Sequence, residues 1–219
     1  STIETMNCHE MEINEDRIIK AMVGREITDR FPKRHDVKIG DINMEVKNWT
    51  VHHPLYPERK VVDNVHMNVR KGEVVGIYGL MGAGRTELAM SIFGHSYGAN
   101  ISGTLTINGK EVVLKNPREA INAKLAYVTE DRKGNGLVLS NPIRVNTSLA
   151  NMSGVSNHNI IDVDKEYQVA VEYKEKLKTK TPSVEQNVGN LSGGNQQKVL
   201  LAKWMFTDPD ILILDEPTR

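Results

Sequence analysis

Residues 79–86 contain three closely spaced glycines and one cationic side chain. The stretch reads Gly79-Leu80-Met81-Gly82-Ala83-Gly84-Arg85-Thr86, which fits the template G-x-x-x-x-G-K-[ST] everywhere except at the lysine. Glycines let a backbone curve closely around a ligand and aim its N–H groups at phosphate oxygens. A helix that begins here adds a partial positive charge. The stretch predicts a loop that binds nucleotide phosphates, with Thr86 as a Mg²⁺ ligand.

Arg85 is the departure from that template. Lysine presents a compact charge on a thin stem, whereas the guanidinium group is a wide planar fork. We therefore expect a nucleotide to bind more weakly than it would to a lysine version, or in a different pose. The alternative is a strand–turn–helix corner whose glycines serve packing alone.

Two neighbouring carboxylates follow the apolar run Ile211–Leu214. Open α/β sheets place their chemistry at the carboxyl ends of strands. Asp215 could hold the Mg²⁺ shell while Glu216 polarises an attacking water, and strand alternation would send the two side chains to opposite sides. The alternative is a strand that ends in a solvated acidic turn.

A second glycine-containing helix start follows Leu191. Ser192 is a natural N-cap, and Gly193 and Gly194 let a ligand approach the backbone. A single domain needs only one phosphate loop, so the second anion-receptive start suggests a site shared with another protomer. The alternative is an ordinary capped helix.

The elements around these residues predict an α/β fold. Apolar patterns predict strands near residues 42–46, 61–69, 73–78, 103–109, 125–128 and 211–214, and helices over 84–93, 117–123 and from Ser192. Helical spacing after residue 142 predicts a lateral helical subdomain at about 142–207. Residues 1–36 read as an appendage, with a short strand at 2–6, a helix over 15–23 and a linker at 31–36.

Composition narrows the functional classes. Lys plus Arg and Asp plus Glu each number 28, for a net charge of zero, which argues against a nucleic-acid binder held by bulk charge. Cys8 is the only cysteine, so the sequence has no disulfide framework. No apolar run approaches the roughly 18–20 residues that span a bilayer. We therefore expect any membrane association to run through a partner.

Two motifs near the end of the sequence resemble a known family. LSGGNQQKV followed by ILILDEPT resembles the signature and Walker B motifs of ATP-binding-cassette (ABC) ATPases. Arg85 in the lysine position, Asn195 and the segment VTEDRK at 128–133 look like the second cassette of the fused double-cassette ATPases of monosaccharide importers. The resemblance implies a P-loop NTPase fold of the ABC type, with an antiparallel β subdomain. It assigns residues 1–36 to the tail of the first cassette plus the linker and 37–219 to the second cassette.

The same resemblance implies ATP and Mg²⁺ as cofactors, with Thr86 and Asp215 on the metal and Glu216 as the catalytic residue. Glu130 stands where most cassettes place glutamine. His53 and Tyr56 are the candidates for stacking on the base. The nucleotide-binding set is Gly79, Leu80, Met81, Gly82, Ala83, Gly84, Arg85, Thr86 and Glu87. The signature set, which would act on the ATP of a partner cassette, is Leu191, Ser192, Gly193, Gly194, Asn195 and Gln196.

The implied partners are the first cassette of the same polypeptide, transmembrane permease subunits and, indirectly, a periplasmic-type sugar-binding protein, with no nucleic acid. The implied location is the cytoplasmic face of a bacterial membrane. The switch histidine and remaining core strands of the family do not occur before Arg219, so we expect a fragment that hydrolyses little ATP alone. Two alternatives stay open: a nucleotide-binding half that does not hydrolyse, and a non-transport cassette.

Overall fold

The structure is a computed structural model that describes residues 17, 18, 20 and 37–217. The chain divides into two compact units, residues 1–38 and 39–219. In the first unit, Arg17, Ile18 and Lys20 are helical. The rest of the predicted helix over 15–23, the strand at 2–6 and the linker at 31–36 lie outside the described residues.

A four-stranded antiparallel sheet opens the second unit. Its strand order is β2-β1-β3-β4, with β1 at Ile42–His52, β2 at Lys60–Arg70, β3 at Ala99–Ile107 and β4 at Lys110–Val112. Asn108 and Gly109 connect the last two strands with φ of 50° and 75°, as a type I′ turn requires. The Asn-Gly pair predicts this turn correctly.

A parallel pair of strands lies behind this sheet. β5 (Leu125–Val128) pairs in parallel with the strand Ile211–Leu214, and all four residues of β5 are buried. α1 (Arg85–Ile92) packs against β1 and β2, and α2 (Pro117–Asn122) packs against β5. The ring of Phe93 contacts those of Tyr127 at 5.7 Å and Trp204 at 5.3 Å, which joins the end of α1 to the core.

The chain between these two strands is mainly helical. It contains α3 (Ile143–Ser148), a small hairpin of β6 (Ser156–Asn157) and β7 (Ile160–Ile161), α4 (Val163–Lys176) and α5 (Gly193–Met205), and it ends in β8 (Ile211–Leu214). Glu166 on α4 is buried and accepts hydrogen bonds from Arg144 and from Ser148. Because a buried carboxylate needs such partners, this network holds α3 against α4. No helix among the described residues has both the length and the apolar character to cross a bilayer.

The prediction of a strand at 73–78 is wrong, because the structure has no strand there. Val74 is 77% exposed and Tyr78 95% exposed, and within the described chain no backbone group of residues 74–79 makes a hydrogen bond. A buried parallel strand needs hydrogen-bonded neighbours, and the described strands β5 and β8 pair only with each other. An apolar pattern alone does not hold this segment in a sheet.

Candidate nucleotide-binding site

The glycine-rich loop passes very close to the antiparallel sheet where α1 begins. Gly84 has φ of 83°, and a Cβ atom on it would lie 2.4 Å from the Val61 carbonyl oxygen. Gly82 also has a positive φ, 76°. Only glycine adopts such conformations readily. Backbone geometry thus requires glycine at both positions, of which Gly84 is a fixed glycine of the template and Gly82 is not.

Asp215 is the centre of the hydrogen bonds that join the loop to the sheet. The Thr86 hydroxyl donates to Asp215 Oδ2 at 2.8 Å, and the Tyr127 hydroxyl donates to the same oxygen at 3.0 Å. Burial raises the pKa of Tyr127 above its ordinary value, and the Asp215 carboxylate raises it further. Tyr127 therefore remains a protonated donor at neutral pH.

Arg85 and Glu216 form an ion pair beside this centre. Arg85 Nη2 lies 3.4 Å from Glu216 Oε1, and both side chains are about one third exposed, 30% and 35%. Glu216 has a φ of 42°, so the regular strand geometry ends before it. The expectation that Asp215 and Glu216 face opposite sides is wrong, because both reach the first turn of α1.

The donors around Asp215 suit a magnesium ion. A threonine hydroxyl and a carboxylate are hard oxygen ligands, which Mg²⁺ prefers, and it usually keeps several waters and substrate phosphates as its other ligands. Residues 37–217 contain no group of three His, Cys, Asp or Glu side chains placed to hold a metal. Thr86 and Asp215 supply two oxygen ligands of the kind that suits a Mg²⁺ ion also bound to phosphate.

Glu130 lies beside the same loop. A cleft of about 550 Å³ is lined by Thr86, Glu130 and Arg132, among others. Asp131 begins the π-helical turn Arg132–Gly136 and accepts the backbone N–H groups of Lys133 and Gly134, at 3.2 and 2.9 Å. The residue predicted at the glutamine position therefore faces the cleft next to Thr86.

The signature helix begins as predicted, but Ser192 does not cap it with its side chain. Ser192 occupies the N-cap position of α5 without a side-chain capping bond, and its hydroxyl accepts from the Asn195 amide at 3.0 Å. Asn195 in turn accepts the Lys180 N–H at 3.0 Å. A Cβ on Gly194 would meet nothing within 4 Å. The start of α5 is thus held by Asn195, and Gly194 faces open space.

A buried lysine on α5 escapes sequence reasoning. Lys203 is 7% exposed and donates to the Gly136 carbonyl at 2.6 Å. Burial lowers the pKa of Lys203 to about 8. Arg132 also reaches α5, where Nη1 lies 3.4 Å from Gln197 Oε1. These contacts tie the π-helical turn after Glu130 to the signature helix.

His53 and Tyr56 lie together in the connection between β1 and β2. Their ring centroids are 5.1 Å apart, and His53 Nδ1 accepts the N–H groups of Leu55 and Tyr56 at 3.1 and 3.3 Å. Tyr56 is 57% exposed. The pair forms an accessible aromatic surface, and its role in binding a base stays a prediction.

Known proteins resemble the chain along its length. A family model described as ABC transporter matches residues 62–219. The L-arabinose transport ATP-binding protein AraG of Geobacillus stearothermophilus is 56% identical over 100% of this chain and 42% of that protein. The xylose import ATP-binding protein XylG of Thermoanaerobacter pseudethanolicus is 48% identical over 94% of this chain and 40% of its own length. The ribose import ATP-binding protein RbsA of Bacillus subtilis is 43% identical over 100% of this chain and 42% of its own length.

Solved structures show the same fold. A nucleotide-free ATP-binding cassette from an ABC transporter has a TM-score of 0.65 at 19% identity, covering 82% of this chain and 70% of that one. A dimeric ATP-binding cassette in a post-hydrolysis state, bound to ADP and Pi, has a TM-score of 0.64 at 20% identity. The match covers 80% of this chain and 74% of that one. The chain spans about two fifths of the length of the curated relatives above. It belongs to the ABC transporter family and has the fold of its ATP-binding cassettes.

Proposed function

We propose that this chain is an ATP-binding part of an ABC importer for monosaccharides and couples ATP binding and hydrolysis to transport. The observation that carries the proposal is the convergence of Arg85 and Thr86 on Glu216 and Asp215, at 3.4 and 2.8 Å. The sugar class is supported by the arabinose, xylose and ribose named for its relatives. Residues 37–219 would form the second of two cassettes, and residues 1–36 the end of the first.

The residues at this convergence would divide the chemistry of hydrolysis. The backbone of residues 79–86 would bind the phosphates, and Thr86 and Asp215 would hold Mg²⁺. When bound, Mg²⁺ would neutralise charge on the β- and γ-phosphates. Glu216 would orient the attacking water, since a carboxylate next to the phosphate is suited to general-base work.

The ion pair between Arg85 and Glu216 supports low turnover at this site. One guanidinium group cannot serve the phosphates and Glu216 fully at the same time, because its planar fork has a fixed geometry. We therefore infer that the loop of this cassette binds ATP but hydrolyses it slowly.

The signature would act on a second nucleotide. Ser192 and Gly194 lie at an open helix start, which favours an anion brought by another surface. The partner would be the first cassette of the same polypeptide. Residues 130–157 would contact transmembrane permease subunits at the cytoplasmic face of the membrane, and a sugar-binding protein would act indirectly.

Transport by the full-length polypeptide tests the proposed function. The polypeptide is reconstituted in vesicles with the permease that co-purifies with it, and uptake of L-arabinose, D-xylose and D-ribose is measured with ATP or a non-hydrolysable analogue. We expect uptake of at least one sugar with ATP alone. ATP hydrolysis by a complex that moves none of the three sugars would contradict the sugar class.

A non-hydrolysing nucleotide-binding half is the second candidate. The exposed segment 74–79 and the Arg85–Glu216 pair favour it for this chain taken alone. Phosphate release by the 219-residue chain, at ATP concentrations that saturate its binding, tests this second candidate. Release comparable to that of the full-length polypeptide would argue against the second candidate.

A further inference from the structure

We propose that Tyr127 is a positioning residue for the Asp215 carboxylate and so for the metal that this carboxylate would hold. The inference rests on the proposed function and adds a residue to its site. Tyr127 belongs to β5, while Asp215 follows β8, and the two lie 88 positions apart in sequence. Neither the glycine-rich loop nor the Walker B motif includes it.

The backbone places the tyrosine next to the carboxylate. β5 and β8 run parallel with Tyr127 opposite Ile213 and Val128 opposite Leu214. The Asp215 N–H then donates to the Val128 carbonyl at 2.9 Å, which extends the pairing one residue beyond β8. Asp215 is thereby fixed at its backbone, so the hydrogen bonds to its carboxylate determine only the rotation of the side chain.

Two hydroxyls meet on one carboxylate oxygen. Thr86 donates to Asp215 Oδ2 at 2.8 Å and Tyr127 donates to it at 3.0 Å. Thr86 would itself contact the metal, so its hydroxyl must satisfy both the metal and the carboxylate. Tyr127 is not among the predicted metal ligands, so a bound metal would not compete with Asp215 for its hydroxyl. It is therefore the donor that holds the carboxylate orientation whether or not a metal is bound.

The ring of Tyr127 is anchored independently of its hydroxyl. Tyr127 is 6% exposed, and its ring lies 5.7 Å from that of Phe93. The other residues of β5, Leu125, Ala126 and Val128, are apolar and fully buried. Because a buried phenol needs a hydrogen-bond partner, a purely structural role is the competing explanation, and it predicts a loss of stability alone.

Tyr127→Phe separates the two roles, because it keeps the ring and removes only the hydroxyl. The 219-residue chain with saturating ATP is titrated with Mn²⁺, and free Mn²⁺ is followed by electron paramagnetic resonance. We expect Mn²⁺ affinity to fall about tenfold or more, which is near the lower end of the effect of losing a hydrogen bond to a charged group. ATP affinity in EDTA should change less than about twofold. Tyr173→Phe, which removes a hydroxyl from α4, is the matched control and should change neither value.

A double-mutant cycle keeps the test informative if the variant is less stable. In an Asp215→Asn background, Tyr127→Phe should cause no further loss of Mn²⁺ affinity, because the carboxylate to be positioned is gone. Unchanged Mn²⁺ affinity in Tyr127→Phe, or the same loss in both backgrounds, would overturn the positioning role. A wild-type chain that binds neither ATP nor Mn²⁺ would instead overturn the proposed function and this inference with it.

Discussion

Two helix starts in this chain carry glycines, and they are supported very differently. α5 begins within a helical region, where Asn195 bonds to both Ser192 and Lys180 and Gln196 is buried against the Val188 carbonyl. α1 begins after residues 74–79, where Val74 and Tyr78 are largely exposed. The signature start is thus held by nearby contacts, while the segment entering the phosphate loop has none in the described sheet.

The difference shows that the two motifs depend on different parts of a fold. The start of α5 draws its support from Asn195, whose partners Ser192 and Lys180 lie within 15 positions of it in sequence. A phosphate loop is held by the helix that follows it and by the strand that precedes it. The helix side of the loop is anchored through Thr86 and Asp215, whereas residues 74–79 make no backbone hydrogen bond to any other described residue. Substitutions at each start should therefore have unequal effects.

The largest contrast is expected between Gly84→Ala and Gly194→Ala. A Cβ on Gly84 meets the Val61 carbonyl oxygen at 2.4 Å at a φ of 83°, so this variant should lose about 3 kcal/mol or more of unfolding free energy. A Cβ on Gly194 meets nothing within 4 Å, so that variant should change stability by less than about 1 kcal/mol. Urea unfolding measures both. Similar losses would remove the contrast between the two starts.

A pH-dependent difference is expected from Lys203, which ties the signature helix to Gly136. The pKa of Lys203 is about 8 in the fold because the amine is buried, against 10.5 for a lysine exposed to water. Between these values the unfolded chain binds more protons than the folded one, so stability should rise with pH through that window. The gain relative to Lys203→Met is at most about 3 kcal/mol. Urea unfolding of both proteins from pH 7 to pH 10.5 checks it, and parallel curves would contradict the burial of a titrating amine.

A smaller effect on stability is expected from Arg85→Lys at the phosphate loop. The pair with Glu216 is partly exposed, and such pairs contribute about 0–1 kcal/mol, so unfolding should change little. Lysine fits the template of the loop, so ATP-Mg affinity should rise several-fold. Equilibrium titration of both chains with ATP-Mg measures this. Equal affinity together with equal hydrolysis would show that arginine at this position weakens neither ATP-Mg binding nor hydrolysis.

Sequence reasoning found the residues whose signals are local and missed those that depend on pairing over long distances. The predicted strands at 125–128 and 211–214 have the observed bounds, because apolar runs and their polar ends mark them. Tyr127 as a donor to Asp215 had only a weak signal, a phenol in an otherwise apolar strand. The signal for Lys203 was similarly weak: it lies four residues after the buried Val199 and therefore on the same face of the helix.

The error at 73–78 has a related cause. A run of Val, Ile and Tyr predicts that a segment can be a strand, but not which neighbour will pair with it. Glu216 shows the same limit at a single residue. Strand alternation predicts that the Glu216 side chain points to the other side of the strand from Asp215. In the structure a left-handed φ of 42° turns Glu216 toward Arg85. Both outcomes depend on tertiary contacts that no local pattern contains.

The unequal roles of the two helix starts are tested most directly by ATP hydrolysis in the full-length polypeptide. Ser192→Arg fills the signature start and should abolish most hydrolysis, since the competent site would use this signature. Arg85→Ala removes the cation from the slow site and should lose much less. Steady-state phosphate release by both variants decides the matter. Equal losses in the two variants would contradict the account.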